Sequence, residues 1–235
     1  MKKKTILLGL NELNFDYVKF YISKGLLPNF KKLFEIQPLI ETVSEKEYKL
    51  LEPWVQWVTI HTGKTFDEHQ VFRLGDIVNN PELLQIFEEL EAEGLSVGAV
   101  SPFNAENRLK NPSFFVPDPW TKTEASGNKI IKALYQAVHQ SVNDNAKSKL
   151  NFKSIISLGL GLLLYVPISR WLHYVKTVLK VKNPGVKAVI LDSLLADVHL
   201  KLWKKHKPDF SNLFLNSGAH IQHHYYLIQK HIKET

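Results

Sequence analysis

The sequence predicts an α/β protein with three layers (αβα), in which helices cover both faces of a mostly parallel central sheet and a helical insertion caps the sheet. Two observations predict this class. Short apolar runs such as Thr5–Leu10 and Leu95–Val100 are typical of strands buried on both faces of a parallel sheet. Segments with a helical spacing of apolar residues separate these runs, and strands that alternate with helices favour parallel pairing.

The alternation is clearest in residues 1–108. Asn14 can cap the helix after the first strand, and Gly25 ends that helix. Pro81 stands at the first position of a later helix, which Gly94 ends. In order, the predicted elements are a strand over Thr5–Leu10, helices over Phe15–Lys24 and Phe30–Phe34, a strand over Pro38–Val43, a helix over Pro81–Glu93 and a strand over Leu95–Val100.

The segment from Leu51 to Asp76 is rich in aromatic residues and has polar groups embedded among them. Trp54 and Trp57 share one face if the segment is helical. Two interpretations stay open, since such a segment either fills a core or lines the wall of a pocket, and we favour the core. If it lines a pocket, the candidates for contact with a substrate are Trp57, His61 and His69.

From Leu109 to Val181 the pattern changes to loop signals followed by helices. The helices are predicted over Lys129–Val142, Ile155–Val166 and Ser169–Leu179, before a long helix over Val186–Lys205 and a strand over Asp209–Leu215. We therefore divide the chain into an N-terminal part of the α/β domain (1–108), a helical insertion or cap (109–185) and a return to the α/β domain (186–235).

Composition limits the classes of function. The chain has 235 residues, 44% of them hydrophobic, and it has no cysteine, which excludes disulfides, thiolate metal sites and cysteine nucleophiles. A net charge of +7 favours anionic partners, but no nucleic-acid-binding motif is present, so we expect no nucleic acid. The apolar run after Lys4 is too short for a signal peptide, and Ile155–Ile168 is too short for a spanning helix. We expect a cytoplasmic protein, with burial of that run favoured over contact with a membrane surface.

Polar residues follow the predicted strands at their carboxyl ends, where ligands bind in open α/β sheets. Asn11 and Glu12 follow the first strand, and Asn216 and His220 follow the last. His220 and His224 are spaced to share a helix face, which is a spacing typical of metal ligands. The alternative is a helix whose histidines are merely solvated or cap a core. An amide ligand brings no charge, so Glu12 or Glu52 would have to offset a cation.

Three segments resemble the alkaline phosphatase superfamily, most closely its type I phosphodiesterase/nucleotide pyrophosphatase branch. ILLGLNELNFDYVKFYISKGLLPNFKKLFE is similar to the opening strand, metal ligand and helices of that family. PWVQWVTIHTGKTFDEHQVF is similar to its nucleophile helix, and KPDFSNLFLNSGAHIQHH to its later metal-binding strand. The resemblance covers most of the chain outside 109–181, which would be the family's variable cap.

The same alignment shows departures from the family pattern. The family's metal-binding aspartates fall on Asn11 and Asn216, and its nucleophile falls on Pro53. His220 and His69 match histidines of the family. The family's later metal ligands would lie beyond Thr235, so we expect the chain to lack them or to be a fragment. In the family, two metals about 4 Å apart activate the nucleophile.

Two functions follow, of which we favour the first. The resemblance implies a phosphohydrolase or phosphotransferase that acts on a phosphorylated small molecule or phospho-glycan with a divalent metal such as zinc or manganese. Glu12 or Glu52 would be the catalytic base, and Asn11, Asn216, His220 and His224 the metal ligands, with His223 a further candidate. The alternative is an inactive scaffold or binding protein on the same fold. A third idea is a role at a membrane surface in surface-glycan or lipid assembly, through 155–166 and nearby basic residues.

Overall fold

A four-stranded parallel sheet forms the middle layer of this computed structural model, which describes residues 3–143, 152–183 and 185–234. The strands are β1 (Thr5–Leu10), β2 (Val97–Val100), β3 (Phe114–Val116) and β4 (Phe210–Leu215). Their order across the sheet is β1-β4-β2-β3, so the last strand of the chain lies between the first and the second. The sequence therefore predicted the class correctly, and it also predicted that its first and last strands share one sheet.

Helices connect the strands and cover them. The helices are α1 (Phe15–Ser23), α2 (Pro28–Ile36), α3 (Pro53–Thr62), α4 (Phe66–His69), α5 (Ile86–Ala92), α6 (Lys129–Asn143), α7 (Phe152–Tyr165), α8 (Trp171–Val178), α9 (Val186–His206) and α10 (Ser217–Glu234). Single 3₁₀ turns at Tyr48–Leu50, Asp76–Asn79 and Ile168–Arg170 join some of them.

One face of the sheet is covered by α6, α7, α8 and α9. Val100, Phe114 and Leu213 project from three strands into this layer and form the largest apolar core of the described residues. Their helical partners in that core are Ile131, Leu134 and Val138 of α6, Tyr165 of α7, Tyr174 of α8, and Leu194, Leu195, Val198 and Leu202 of α9. Because apolar contacts come from both layers, sheet and helices stabilise each other.

The opposite face is covered by α3 and α5. Phe87 of α5 packs against Phe115 and Phe210, which alternate with residues of the first core along their strands. Trp57 of α3 packs edge-on against Phe214 of β4, with ring centroids 4.9 Å apart. Helices on both faces make this a three-layer αβα sheet.

Strand β1 forms one edge of the sheet. Its only neighbour among the described strands is β4, with Thr5 opposite Phe210 and Leu10 opposite Leu215. Ile6 and Leu8 are each 48% exposed. The outer side of β1 is therefore incompletely covered.

Three predicted elements were wrong in position or type. The segment Pro38–Val43 is not a strand: it pairs with no strand, and Val43 is 98% exposed. Helix α5 begins at Ile86 rather than Pro81, because Gln85 and Glu88 form a reciprocal capping box there. Residues 114–116 form β3 inside the range predicted as a helical cap, so the cap begins after this strand.

Helices α7 and α8 contain the longest apolar stretch. No single helix within the described ranges is both long and apolar enough to cross a membrane. Ile156–Tyr165 and Ile168–Val178 pass that test only as a pair, and the chain bends by 113° between them.

Candidate functional site

A cleft of about 270 Å³ lies at the carboxyl ends of β1 and β4. This is the end of a parallel sheet at which ligands bind. Its lining residues come from the turn after β1, the start of α3, three loops and the start of α10: Asn11, Glu12, Pro53, Trp54, Leu74, Phe103, Trp120, Asn216, Ala219, His220 and His223. The sequence predicts that Asn11, Glu12, Glu52, Asn216 and His220 surround one cleft. Four of them line it and Glu52 does not, and their chemical roles remain predictions.

The backbone places these side chains at the sheet's end. The Asn11 N–H still donates to the carbonyl of Leu215 at 3.0 Å, so Asn11 extends the pairing of β1 with β4. Glu12 then adopts the left-handed region with φ 51°, which turns the chain sharply toward α1. Asn14 caps α1, as the sequence predicted, by accepting from the N–H groups of Asp16 and Tyr17.

A chain of hydrogen bonds fixes the orientation of both cleft asparagines. Trp57 Nε1 donates to Asn11 Oδ1 at 3.0 Å, and Asn11 Nδ2 donates to Asn216 Oδ1 at 2.8 Å. An indole N–H can only donate, so the Asn11 oxygen must face Trp57 and its NH₂ group must face Asn216. The donor-to-acceptor direction of both hydrogen bonds therefore follows from the indole N–H of Trp57.

This direction determines what the cleft offers to a ligand. Both amide oxygens already accept an N–H, and the NH₂ group of Asn216 makes no hydrogen bond to the residues that the structure describes. A metal needs oxygen lone pairs, whereas an oxyanion needs N–H donors. The asparagines therefore suit a ligand oxygen better than a cation, which argues against the predicted metal-binding roles of Asn11 and Asn216.

Helix α10 is tied to the turn after β1 by polar contacts. His223 Nε2 lies 2.6 Å from Glu12 Oε2. Gln222 accepts from the Asn14 N–H at 2.9 Å and donates to the Glu12 carbonyl. Glu12 and His223 thus form an acid–base pair at the rim of the cleft, where both remain partly open to solvent.

Asp192 of α9 makes a hydrogen bond to the first residue of α10. Its Oδ2 accepts from the Ser217 N–H at 2.6 Å, so a side chain from another helix caps α10. Burial raises the pKa of the Asp192 carboxyl, and hydrogen bonds from Ser217 offset part of this effect. We did not predict this residue, although a lone aspartate in the apolar run VILDSLL is a usable signal for a buried polar contact.

Trp57 is a positioning residue whose side chain does not line the cleft, and its predicted contact with a substrate stays a prediction. A Cβ added to Gly9 would lie 2.6 Å from Trp57 Cη2, so the indole occupies space that only a glycine in β1 leaves free. Trp54, three residues earlier, lines the cleft instead.

His61 and His69 also lie away from the cleft. His61 is 2% exposed between Trp57 and Phe87. Burial lowers its pKa to about 4, partly offset by the backbone of Phe103, and within the described residues neither ring nitrogen makes a hydrogen bond of normal geometry. His69 accepts from the Val71 N–H through Nδ1 at 3.0 Å, so Nε2 carries the proton toward Thr59 Oγ1 at 3.2 Å. Neither side chain lines the cleft, and the predicted contact of His61 and His69 with a substrate stays a prediction.

Three further candidates are displaced from the cleft or lack the expected chemistry. Pro53 lines the cleft at the first position of α3, where the family has its nucleophile. Glu52 precedes it but does not line the cleft, and it makes no capping bond. His224 is exposed on α10 and is not in the cleft wall.

The donor set does not fit a two-metal centre. Across residues 3–143, 152–183 and 185–234, no group of three or more histidine, aspartate or glutamate side chains could hold a metal ion. The positions of two family ligands hold neutral amides whose oxygens already accept hydrogen bonds.

A second pocket of about 400 Å³ adjoins the cleft and shares Trp120, Asn216 and His220 with it. Most of its wall is apolar and comes from the helical layer: Val142, Leu158, Ala188, Ile190, Leu191 and Leu194. Polar and apolar binding surfaces therefore lie side by side.

Comparisons with protein-family models, with curated proteins and with solved structures find no match. The resemblance to the alkaline phosphatase superfamily therefore rests on the sequence patterns alone.

Proposed function

We propose that this protein binds a phosphate ester with an apolar substituent, and that it does so without a metal. The observation that supports this most is the hydrogen-bond chain from Trp57 through Asn11 to Asn216. It leaves an N–H donor group at the cleft and keeps the amide oxygens engaged. A phosphate ester supplies only acceptor oxygens and negative charge near this donor, so the two are complementary.

Other groups at the cleft favour an anion too. Helix α10 starts at the cleft, and the partial positive charge of its N-terminus attracts negative groups. His220 and His223 lie on its first turns and donate when protonated. Asp192 occupies the Ser217 N–H, so the anion would be held by side chains rather than by that amide.

The apolar pocket indicates the rest of the ligand. Its volume, about 400 Å³, lies within the range of pockets that hold small molecules. Leu158, Ile190 and Leu191 would contact hydrocarbon or ring atoms while the phosphate remains beside Asn216. The ligand class is therefore an amphiphilic phosphate ester, which includes a lipid-linked phospho-glycan.

The Glu12–His223 pair favours a second candidate, a phosphohydrolase or phosphotransferase. A carboxylate 2.6 Å from an imidazole can hold it in the tautomer that accepts a proton, as in general base catalysis. Pro53 offers no nucleophile, so water or another substrate would have to attack. Turnover that Glu12→Gln abolishes would support this candidate.

Calorimetric titration of an alkyl phosphate and of the matching alcohol separates the alternatives. We expect the wild type to bind the phosphate and not the alcohol. Asn216→Asp should weaken phosphate binding about tenfold or more, because a carboxylate replaces the donor beside the anion. Asn29→Asp on the exposed surface of α2 is the matched control and should bind like the wild type.

Zinc and manganese titrations test the opposite expectation with the same variants. A two-metal enzyme should bind metal more tightly after Asn216→Asp, because a carboxylate offsets the charge of the cation. Tight metal binding by the wild type, strengthened in that variant and without phosphate binding, would overturn the proposal.

A further inference from the structure

The corner formed by α7 and α8, residues 153–182, has several apolar side chains that are exposed and not packed in the core. Ile168 and Leu179 are 89% and 81% exposed, and Leu163 and Leu172 are 62% and 63% exposed. Their neighbours Leu162, Val166 and Tyr174 do pack inward. Exposed apolar side chains concentrated in one short segment of a folded protein are typical of a surface that another molecule covers.

The charge of the chain is concentrated in the same stretch. Residues 153–182 contain four lysines and one arginine and no acidic residue, a net charge of +5. The whole chain has 30 basic and 23 acidic residues, so the remaining part has 25 basic and 23 acidic residues, a net charge of +2. Charge complementarity therefore favours an anionic partner for this surface.

The lysines of the corner are available to that partner. Lys153, Lys176, Lys180 and Lys182 are exposed, and none of them makes an ion pair with another described residue. Arg170 is the exception, because it pairs with Asp197 Oδ1 at 2.9 Å. Lysines beside apolar side chains are typical of helices that lie at the surface of anionic membranes.

The geometry of the corner suits insertion to a shallow depth. Helix α7 has 14 residues, which corresponds to about 21 Å, less than the roughly 30 Å of a bilayer core. The chain then turns by 113° into α8, with Ile168 near the bend. Trp171 follows the bend at 40% exposure, and tryptophan is enriched at membrane interfaces.

We propose that the α7–α8 corner docks on the surface of an anionic phospholipid bilayer. Exposed apolar side chains at the bend enter the headgroup region, while the lysines contact lipid phosphates. The bilayer is favoured over a protein partner because this short bent pair carries exposed apolar side chains together with lysines and contains no acidic residue. This inference is independent of the cleft and of the ligand proposed for it.

Vesicle flotation tests the proposal. Full-length protein is mixed with vesicles of phosphatidylcholine alone or with vesicles in which a third of the lipid is phosphatidylglycerol. We expect binding to the anionic vesicles, weakened by salt. Ile168→Asp with Leu172→Asp, and separately Lys176→Glu with Lys180→Glu and Lys182→Glu, should each weaken it about tenfold or more.

Ile40→Asp with Val43→Asp is the matched control, because these residues are 78% and 98% exposed outside the corner. It should float like the wild type, and circular dichroism should show the same helicity for every variant. No binding of the wild type to anionic vesicles would overturn the proposal, as would equal loss in the control. A dimer that Ile168→Asp with Leu172→Asp dissociates, without vesicle binding, would assign the corner to a second copy instead.

Discussion

Trp57 is the residue on which the proposed specificity of the cleft depends, although it does not line the cleft. Removing its N–H would free the Asn11 oxygen. The side-chain amides of Asn11 and Asn216 could then rotate and exchange their donor and acceptor roles. Trp57→Phe keeps most of the contact with Phe214 and removes this donor. We expect a loss of about 1 kcal/mol in the free energy of unfolding and weaker phosphate binding.

Trp203→Phe is the control for that substitution. Trp203 Nε1 is buried and has no hydrogen-bond partner in the described parts of the chain, so its removal leaves no acceptor unsatisfied. Chemical denaturation and phosphate titration of both variants check the prediction. Unchanged phosphate affinity in Trp57→Phe would show that the indole N–H does not contribute to phosphate binding.

At the residue scale, sequence reasoning found positions better than roles. Asn11, Glu12, Asn216 and His220 could be placed together because each follows a strand of a parallel sheet. The direction of an amide hydrogen bond depends on side-chain packing, which no strand pattern contains. His61 and Trp57 show the same limit, because an aromatic helix predicts burial without telling which side chain reaches the cleft.

Helix α10 depends on a cap supplied by a different helix. Its first residue follows Asn216 directly, and the acceptor for Ser217 N–H is Asp192 of α9. Asp192→Ala should reduce the free energy of unfolding by about 1 kcal/mol, typical of a lost helix cap, whereas Asp192→Asn retains an acceptor and should lose less. Urea denaturation of the two variants gives the comparison. Equal losses would mean that charge, rather than hydrogen bonding, stabilises the contact.

At the element scale, long periodic segments were predicted well and short ones were not. The long helix expected over Val186–Lys205 extends over Val186–His206, and the strand expected over Asp209–Leu215 begins one residue later. Strand β3 has only three residues between loop signals, too few for a pattern. Pro38–Val43 has strand-like composition, but it pairs with no described strand, and Val43 is 98% exposed.

The whole molecule contains a buried, neutral histidine in each of its two helical layers. His61 lies under α5, and His199 of α9 lies 3.1 Å from Ser211 Oγ on the opposite face of the sheet. Burial lowers the pKa of each from 6.5 to about 4. The unfolded chain therefore takes up protons first, so stability is complete above 6.5 and falls as the pH falls toward 4.

Each of these histidines should cost about 2 kcal/mol of stability at about pH 5, by the difference in proton binding between the two states. His61→Leu removes one of them and should flatten the dependence of the urea midpoint on pH. His173→Leu replaces an exposed histidine and is the control. An unchanged pH dependence in His61→Leu would show that His61 titrates normally in the folded protein.

The uncovered edge of β1 has a consequence for the protein in concentrated solution. A strand with one described neighbour has a row of backbone N–H and C=O groups directed outward, and Ile6 and Leu8 beside it are half exposed. Such an edge is a template on which a foreign extended segment can add a further strand. The sheet is thus open to growth, and aggregation by strand addition would start at β1.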